Sequence, residues 1–161
     1  MEGRIMSKKL VAYFSASGVT ARLAKNLAEA IGADLFEIKP AEPYSEADQN
    51  WKNPLARCNK EKIGKKDVPV SGIVENMDEY DTVYLGFPIW YWAAPNVVNT
   101  FVKQYDFSHK KVVLFATSGG SNMGKTAEKL QPYLGNEAEI VDAKVMNENP
   151  GIEELKAWAV Y

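Results

Sequence analysis

Apolar positions along the chain keep two rhythms that take turns. The run "KLVAYF" (Lys9 to Phe14) is almost continuously apolar, as a strand buried on both faces requires. After it Leu23, Ala24, Leu27, Ala28 and Ile31 recur at helical spacing, and Gly32 stands where a left-handed residue ends a helix. A second strand, "DLFEIKP", alternates and stops at Pro40. The strand "DTVYLGFP" (Asp81 to Pro88) precedes a helix that places Pro95 in its first turn and aligns Val97, Val98, Phe101, Val102 and Tyr105 as one apolar stripe. "KVVLFAT" is the fourth strand, and Ala127, Leu130 and Leu134 carry a helix to Gly135. The fifth strand is "AEIVDAKV"; Asn149, Pro150 and the pair Glu153/Glu154 then mark a last helix with Ile152, Leu155, Trp158 and Ala159 as its buried side. The stretch from Ala41 to Asn76 is the least regular, and Trp51, Leu55 and Cys58 predict a helix from Ser45 to Lys62 despite Pro54. Its lysine run "KEKIGKK" reads as a solvated face.

Strands that alternate with helices imply right-handed crossovers. The predicted fold is therefore α/β, a doubly wound five-stranded parallel sheet with helices on both faces, and of the two common strand orders for such a sheet 2-1-3-4-5 is the one expected. At 161 residues this is one domain. It is taken to run from Met6 to Tyr161, with Met1 to Ile5 read as an appended remnant because "MSKKLVAYFS" is the more natural start. Hydrophobic residues make up 46% and charged residues 25%, and a net charge of −2 argues against nucleic-acid or membrane-surface partners. A single cysteine, Cys58, excludes an internal disulfide; with His109 as the one histidine, no Cys/His zinc site can be assembled. Those features, and the absence of a membrane-length apolar run or a signal peptide, predict a cytoplasmic, metal-free protein, monomeric or dimeric.

In the predicted order the first, third and fourth strands are neighbours, and ligands of such sheets sit at the carboxyl ends of the strands. The three loops there are the most unusual stretches of the chain. "SASGVT" (Ser15 to Thr20) sets three hydroxyls around Gly18 at a helix N-terminus, which suits either a phosphate held by neutral donors or an ordinary capped turn. "PIWYWAAP" carries Trp90, Tyr91 and Trp92 in succession; they cannot all enter one core, so they cover a flat aromatic ligand or pack in an interface. "SGGSNMG" follows the fourth strand, and Gly119 to Thr126 fits the triphosphate-loop pattern G-x-x-x-x-G-K-[ST]. That pattern calls for a magnesium-binding Asp at a later or neighbouring strand end. Only Asp142 follows, within a weakly apolar strand, and the first loop would be left unused.

Together S-x-S-G-x-T, "GFPIWYWAAP" and "TSGGSNMG" resemble the three FMN-binding loops of the flavodoxin family, and the chain is most similar to its short bacterial flavodoxin-like members. The resemblance runs from Lys9 to the last helix. It implies that Ser15, Ala16, Ser17, Gly18, Val19 and Thr20 hold the FMN phosphate. Pro88, Ile89, Trp90, Tyr91, Trp92 and Ala93 would flank the isoalloxazine ring, and Ser118, Gly119, Gly120 and Ser121 would line its pyrimidine edge. It also implies electron transfer to a redox partner protein or a small acceptor, with an NAD(P)H-dependent reductase of quinones or nitro compounds as the alternative. Two departures favour that alternative: the chain is near neutral where electron carriers are strongly acidic, and no glycine lies between Trp90 and Ala93. A receiver-like signalling module has the same topology but needs an acidic cluster and a phosphorylated Asp where "FSAS" and "GFP" stand. A low-molecular-weight phosphatase needs an arginine where Gly64 follows Cys58, and Cys58 itself reads as a small half-buried hydrophobe.

Overall fold

A computed structural model describes residues 8–15, 18–40, 70–89, 96–117, 126–135, 137–146 and 150–159. Its strands are β1 (Lys8–Tyr13), β2 (Asp34–Glu37), β3 (Lys39–Pro40), β4 (Val70–Ser71), β5 (Tyr80–Pro88), β6 (Lys111–Thr117) and β7 (Glu139–Val145). The helices are α1 (Val19–Ile31), α2 (Asn96–Lys103), α3 (Thr126–Leu134) and α4 (Ile152–Trp158). Five strands form one parallel sheet in the order β2-β1-β5-β6-β7, which is the expected 2-1-3-4-5 topology. The predicted helix from Ser45 to Lys62 lies outside the described residues.

The period of two along each strand divides the core. Leu10, Ala12 and Phe14 of the first strand and its exit, Val83, Leu85 and Phe87 of β5, and Val112, Leu114 and Ala116 of β6 face the layer made by α2 and α3. Val11 and Tyr13, Tyr84, and Val113 and Phe115 face the layer made by α1 and α4. The central strands are buried on both sides, so their runs are apolar throughout. One position in that second face carries no side chain. Gly86 pairs in register with Tyr13 on one side and Phe115 on the other, and a Cβ placed there would fall inside the Phe115 ring. Glycine lets the two aromatic neighbours close over β5 one turn of the pleat before the strand ends.

The helix boundaries follow their local chemistry. Gly32 is left-handed (φ 65°), and its N–H and that of Ala33 both return to the Ala28 carbonyl. Gly135, with φ 96°, closes α3, whose Gln131 amide donates to the carbonyls of Gly135 and Ala138 and ties the helix end to the approach to β7. Val97, Val98, Phe101 and Val102 are wholly buried on α2. Tyr105 of the same stripe lies beyond the helix end, packs tilted against Phe101 with ring centroids 5.0 Å apart, and accepts the Val74 N–H at 2.8 Å.

Two expectations are corrected. The strand "DLFEIKP" is not one element: the Ile38 N–H still reaches the Tyr13 carbonyl at 2.6 Å, but Lys39 and Pro40 turn away to pair antiparallel with Val70 and Ser71. The partner strand lies thirty residues on, in a stretch with no periodicity of its own, and Ile38 is buried at the switch. Ile152 does not belong to the buried side of α4. It is 38% exposed, while Leu155 and Ala159 enter the core and Trp158 is half buried. Seven residues give α4 two turns, and the stripe begins only with the second.

Among the described residues no helix is long and apolar enough to cross a membrane.

Gly86→Ala is expected to lower stability by about 1 to 3 kcal/mol through overpacking. Phe115→Leu should recover part of that loss, so urea unfolding of the two single variants and the double variant yields a non-additive cycle. Additive losses would mean that Gly86 and Phe115 do not compete for the same space.

Candidate functional site

The first strand stays bonded to β5 one residue past its end, where the Phe14 N–H donates to the Gly86 carbonyl at 2.9 Å. The chain then turns sharply into α1. Ser15 Oγ accepts the Gly18 N–H at 3.0 Å, which leaves the hydroxyl proton to be given elsewhere. Gly18 caps the helix from the left-handed region, φ 96° and ψ −13°, and it supplies no side-chain cap. No acidic residue occupies the first turn. By helix geometry the first N–H groups of α1 have no intrahelical acceptor, and the positive end of the helix dipole lies with them. Val19 is 55% exposed beside this end, and among the described residues a Cβ at Gly18 would meet nothing within 4 Å.

The ends of β5 and β6 lie next to it. Pro88 pairs with Thr117, and the Ile89 N–H donates to the Thr117 carbonyl at 2.8 Å. The Ile89 side chain joins the core on the α2 and α3 side, so this residue meets the edge with its backbone. Thr20, in the first turn of α1, is buried with its Oγ1 2.8 Å from Oγ1 of Thr117. Thr117 therefore joins the roots of all three loops: its hydroxyl meets the first, its carbonyl meets the second, and its own chain continues into the third.

Of the predicted site residues, Ser15, Gly18, Val19, Thr20, Pro88 and Ile89 are described, and all six stand at this one carboxyl edge. Ala16, Ser17, Trp90, Tyr91, Trp92, Ala93, Ser118, Gly119, Gly120 and Ser121 lie outside the described residues. Thr117 was not among the predicted residues. Its one signal in the sequence is a hydroxyl at the last place of an apolar strand, which by itself reads as a strand end. The described members of the edge carry no charge, so an anion there would be held by amides and hydroxyls. Nearby on β1, the Tyr13 phenol is held above its usual range, first by burial and then by the negative charge of Glu37, and stays neutral.

Two further observations bear on the triphosphate-like pattern. Asp142, the carboxylate that pattern would require, accepts the Trp158 indole N–H at 2.9 Å and the Ala143 N–H at 2.8 Å, which directs it toward α4. Thr126, the last residue of the pattern, is fully buried at the start of α3. Among the described residues no group of three or more His, Cys, Asp or Glu side chains could hold a metal ion. A separate open cavity of about 310 Å³ lies between the end of β7 and α4, lined by Met146, Pro150, Leu155 and Trp158 with Lys144 and Glu154 at its rim.

Comparison with known proteins follows the same lines. A family model described as Flavodoxin matches residues 8–160. A candidate flavoprotein from Bacteroides eggerthii DSM 20697 is 40% identical, covers 95% of this chain and 96% of its own, and superposes with a TM-score of 0.88. Its counterpart from Bacteroides uniformis ATCC 8492 is also 40% identical, over 94% of this chain and 97% of its own, with a TM-score of 0.86. A flavoprotein from Lactobacillus acidophilus NCFM, crystallised in complex with FMN, shares 22% identity over 96% of this chain and 99% of its own, with a TM-score of 0.69, a likeness of fold. No match was found among curated proteins.

The left-handed geometry of Gly18 gives a direct test of how the edge is built. Gly18→Ala should cost about 1 to 2 kcal/mol, the penalty of a Cβ in that region, because the space around it is empty and no clash adds to it. Gly18→Asn, whose side chain tolerates that region, should cost less. Equal losses in chemical unfolding would mean that backbone conformation is not what the position requires.

Proposed function

The chain belongs to the flavodoxin family, and from that premise we propose that it is a redox protein that binds FMN at the carboxyl edge of its sheet and passes electrons to a partner protein or a small acceptor. The observation that carries this reading is the joining of the α1 N-terminus, which has no side-chain cap among the described residues, to the ends of two neighbouring strands through the Thr20 and Thr117 hydroxyls and the Thr117 carbonyl. These residues fit the cofactor. A phosphate monoester needs several N–H and O–H donors converging on one point, and the α1 terminus with Ser15 and Thr20 supplies them without a lysine or arginine. Gly18 leaves the approach clear. The remaining contacts fall to Ala16, Ser17 and Val19 around the phosphate, to Pro88 through Ala93 beside the ring, and to Ser118 through Ser121 at its polar edge.

Bound there, FMN supplies reversible transfer of one or two electrons, and the protein sets the potential and limits access. Neutral donors at the phosphate and aromatic side chains around the ring both leave added negative charge uncompensated. The chain therefore disfavours the fully reduced anion.

A second reading, a reductase that takes electrons from NAD(P)H and gives them to quinones or nitro compounds, is favoured by two features of the chain. Its net charge of −2 offers little to draw it onto a basic partner, and Tyr91 and Trp92 occupy the loop where a glycine would accept a positive φ. Left-handed geometry at a residue with a Cβ costs about 1 to 2 kcal/mol, or about 40 to 90 mV for one electron. Reduction in one-electron steps is disfavoured by that amount.

One experiment addresses both readings. Protein loaded with FMN should be yellow and should quench the fluorescence of FMN at micromolar concentration. Stepwise anaerobic reduction, followed in the visible, should then bleach it with little of the half-reduced form, and replacing Trp92 by glycine should increase that form. A protein that leaves FMN fluorescence untouched would refute the FMN reading. One that accumulates mostly the half-reduced form would return the protein to the single-electron carriers.

A further inference from the structure

Resting on the FMN reading above, we propose that Thr117 is a positioning residue for the ligand's phosphate, acting through Thr20 without touching the phosphate itself. The Thr20 and Thr117 hydroxyl oxygens are 2.8 Å apart and buried, so one proton lies between them and the other points elsewhere. Either hydroxyl can be the donor within the pair. Thr117 cannot move to suit: it is the last residue of β6, in register with Pro88, and its carbonyl is held by the Ile89 N–H. Thr20 stands in the first turn of α1, whose N-terminus has no side-chain cap among the described residues.

An anion at that terminus decides which way the pair points. Phosphate oxygens only accept, so Thr20 serves them by turning its proton outward, and its oxygen is then left with lone pairs facing the protein. Thr117 is the hydroxyl placed to donate to it. The resulting chain runs from the Thr117 hydroxyl to Thr20 Oγ1 and from Thr20 to the phosphate. A hydroxyl that accepts one hydrogen bond is a stronger donor in the next, and burial strengthens both. Thr117 thus fixes the direction of the proton that Thr20 gives. It also ties the phosphate loop to the root of the third loop across 97 positions of sequence.

The alternative is a plain structural staple that holds α1 against β6 and favours no ligand. The two are separated by comparing FMN with riboflavin, which has the same ring and no phosphate. Dissociation constants from fluorescence quenching should show Thr117→Val weakening FMN about tenfold, the scale of one hydrogen bond, while riboflavin changes by less than about twofold. Thr117→Ser, which keeps the hydroxyl, should restore the wild-type ratio. Should the valine variant not fold, Thr117→Ala removes the hydroxyl without adding a methyl group in its place and reads the same ratio. Equal weakening of both ligands, or no weakening of either, would overturn the proposal, as would failure of both variants to fold while Thr117→Ser folds. Wild-type protein that binds riboflavin and FMN equally would overturn it too, whereas one that binds neither defeats the parent reading first.

Discussion

A parallel sheet buried on both faces can meet solvent chemistry only at its ends, and this constraint governs the rest of the molecule. Among the described residues the three central strands β1, β5 and β6 are covered above and below, so no polar group can be placed on either face without losing water on both sides. Parallel pairing then points every strand of the five-stranded sheet the same way. The first N–H groups of α1 fall at the end where β1, β5 and β6 all terminate, and that end gathers donors for which the helix itself has no acceptor. The opposite edge is used differently. There Lys110, nearly buried, donates to the Tyr80 carbonyl, Tyr80 donates to Asp34 at 2.6 Å, and Lys8 pairs with Glu79. These contacts spend that edge's polar groups on closing the sheet.

How closely the strands meet at the working end depends on small residues and hydroxyls. Gly86 lets Tyr13 and Phe115 pack on either side of it. Two residues later Pro88 ends the strand, and the Ile89 N–H then meets the Thr117 carbonyl. The Thr20 and Thr117 pair is buried yet made of two groups that each donate and accept, so it joins helix to strand at no charge cost and keeps a proton that can be redirected. A lysine at either position would hold an anion more strongly, but it would also carry a charge into a buried contact.

Much of this was legible in the sequence because the information is local. Buried strands announce themselves as apolar runs, amphipathic helices as stripes, and Gly32 and Gly135 as left-handed helix ends, each within a dozen residues. The alternation of strands and helices implied a doubly wound parallel sheet, and its strand order was one of the two common ones for such a sheet. What was not legible depends on distant partners. Nothing around Pro40 shows that it will pair with Val70, and nothing around Thr117 shows that its hydroxyl will meet one 97 positions earlier. Ile152 illustrates the reverse error: its spacing from Leu155 is helical, but a two-turn helix has too little length for every member of the stripe to reach the core. Of the loops singled out for their unusual composition two have described residues, Ser15 and Gly18 to Thr20 in one and Pro88 and Ile89 in the other, and these stand at one edge.

The central claim is that this edge, with the α1 N-terminus as its phosphate site, is where the cofactor binds. Backbone amide shifts of ¹⁵N-labelled protein during titration with FMN test it most directly. The largest changes should fall on Gly18, Val19 and Thr20, with further changes at Ile89 and Thr117, and riboflavin should reproduce the second group while leaving the first nearly unmoved. Changes centred instead on Lys8, Tyr80 and Lys111, at the other end of the same strands, would contradict the account.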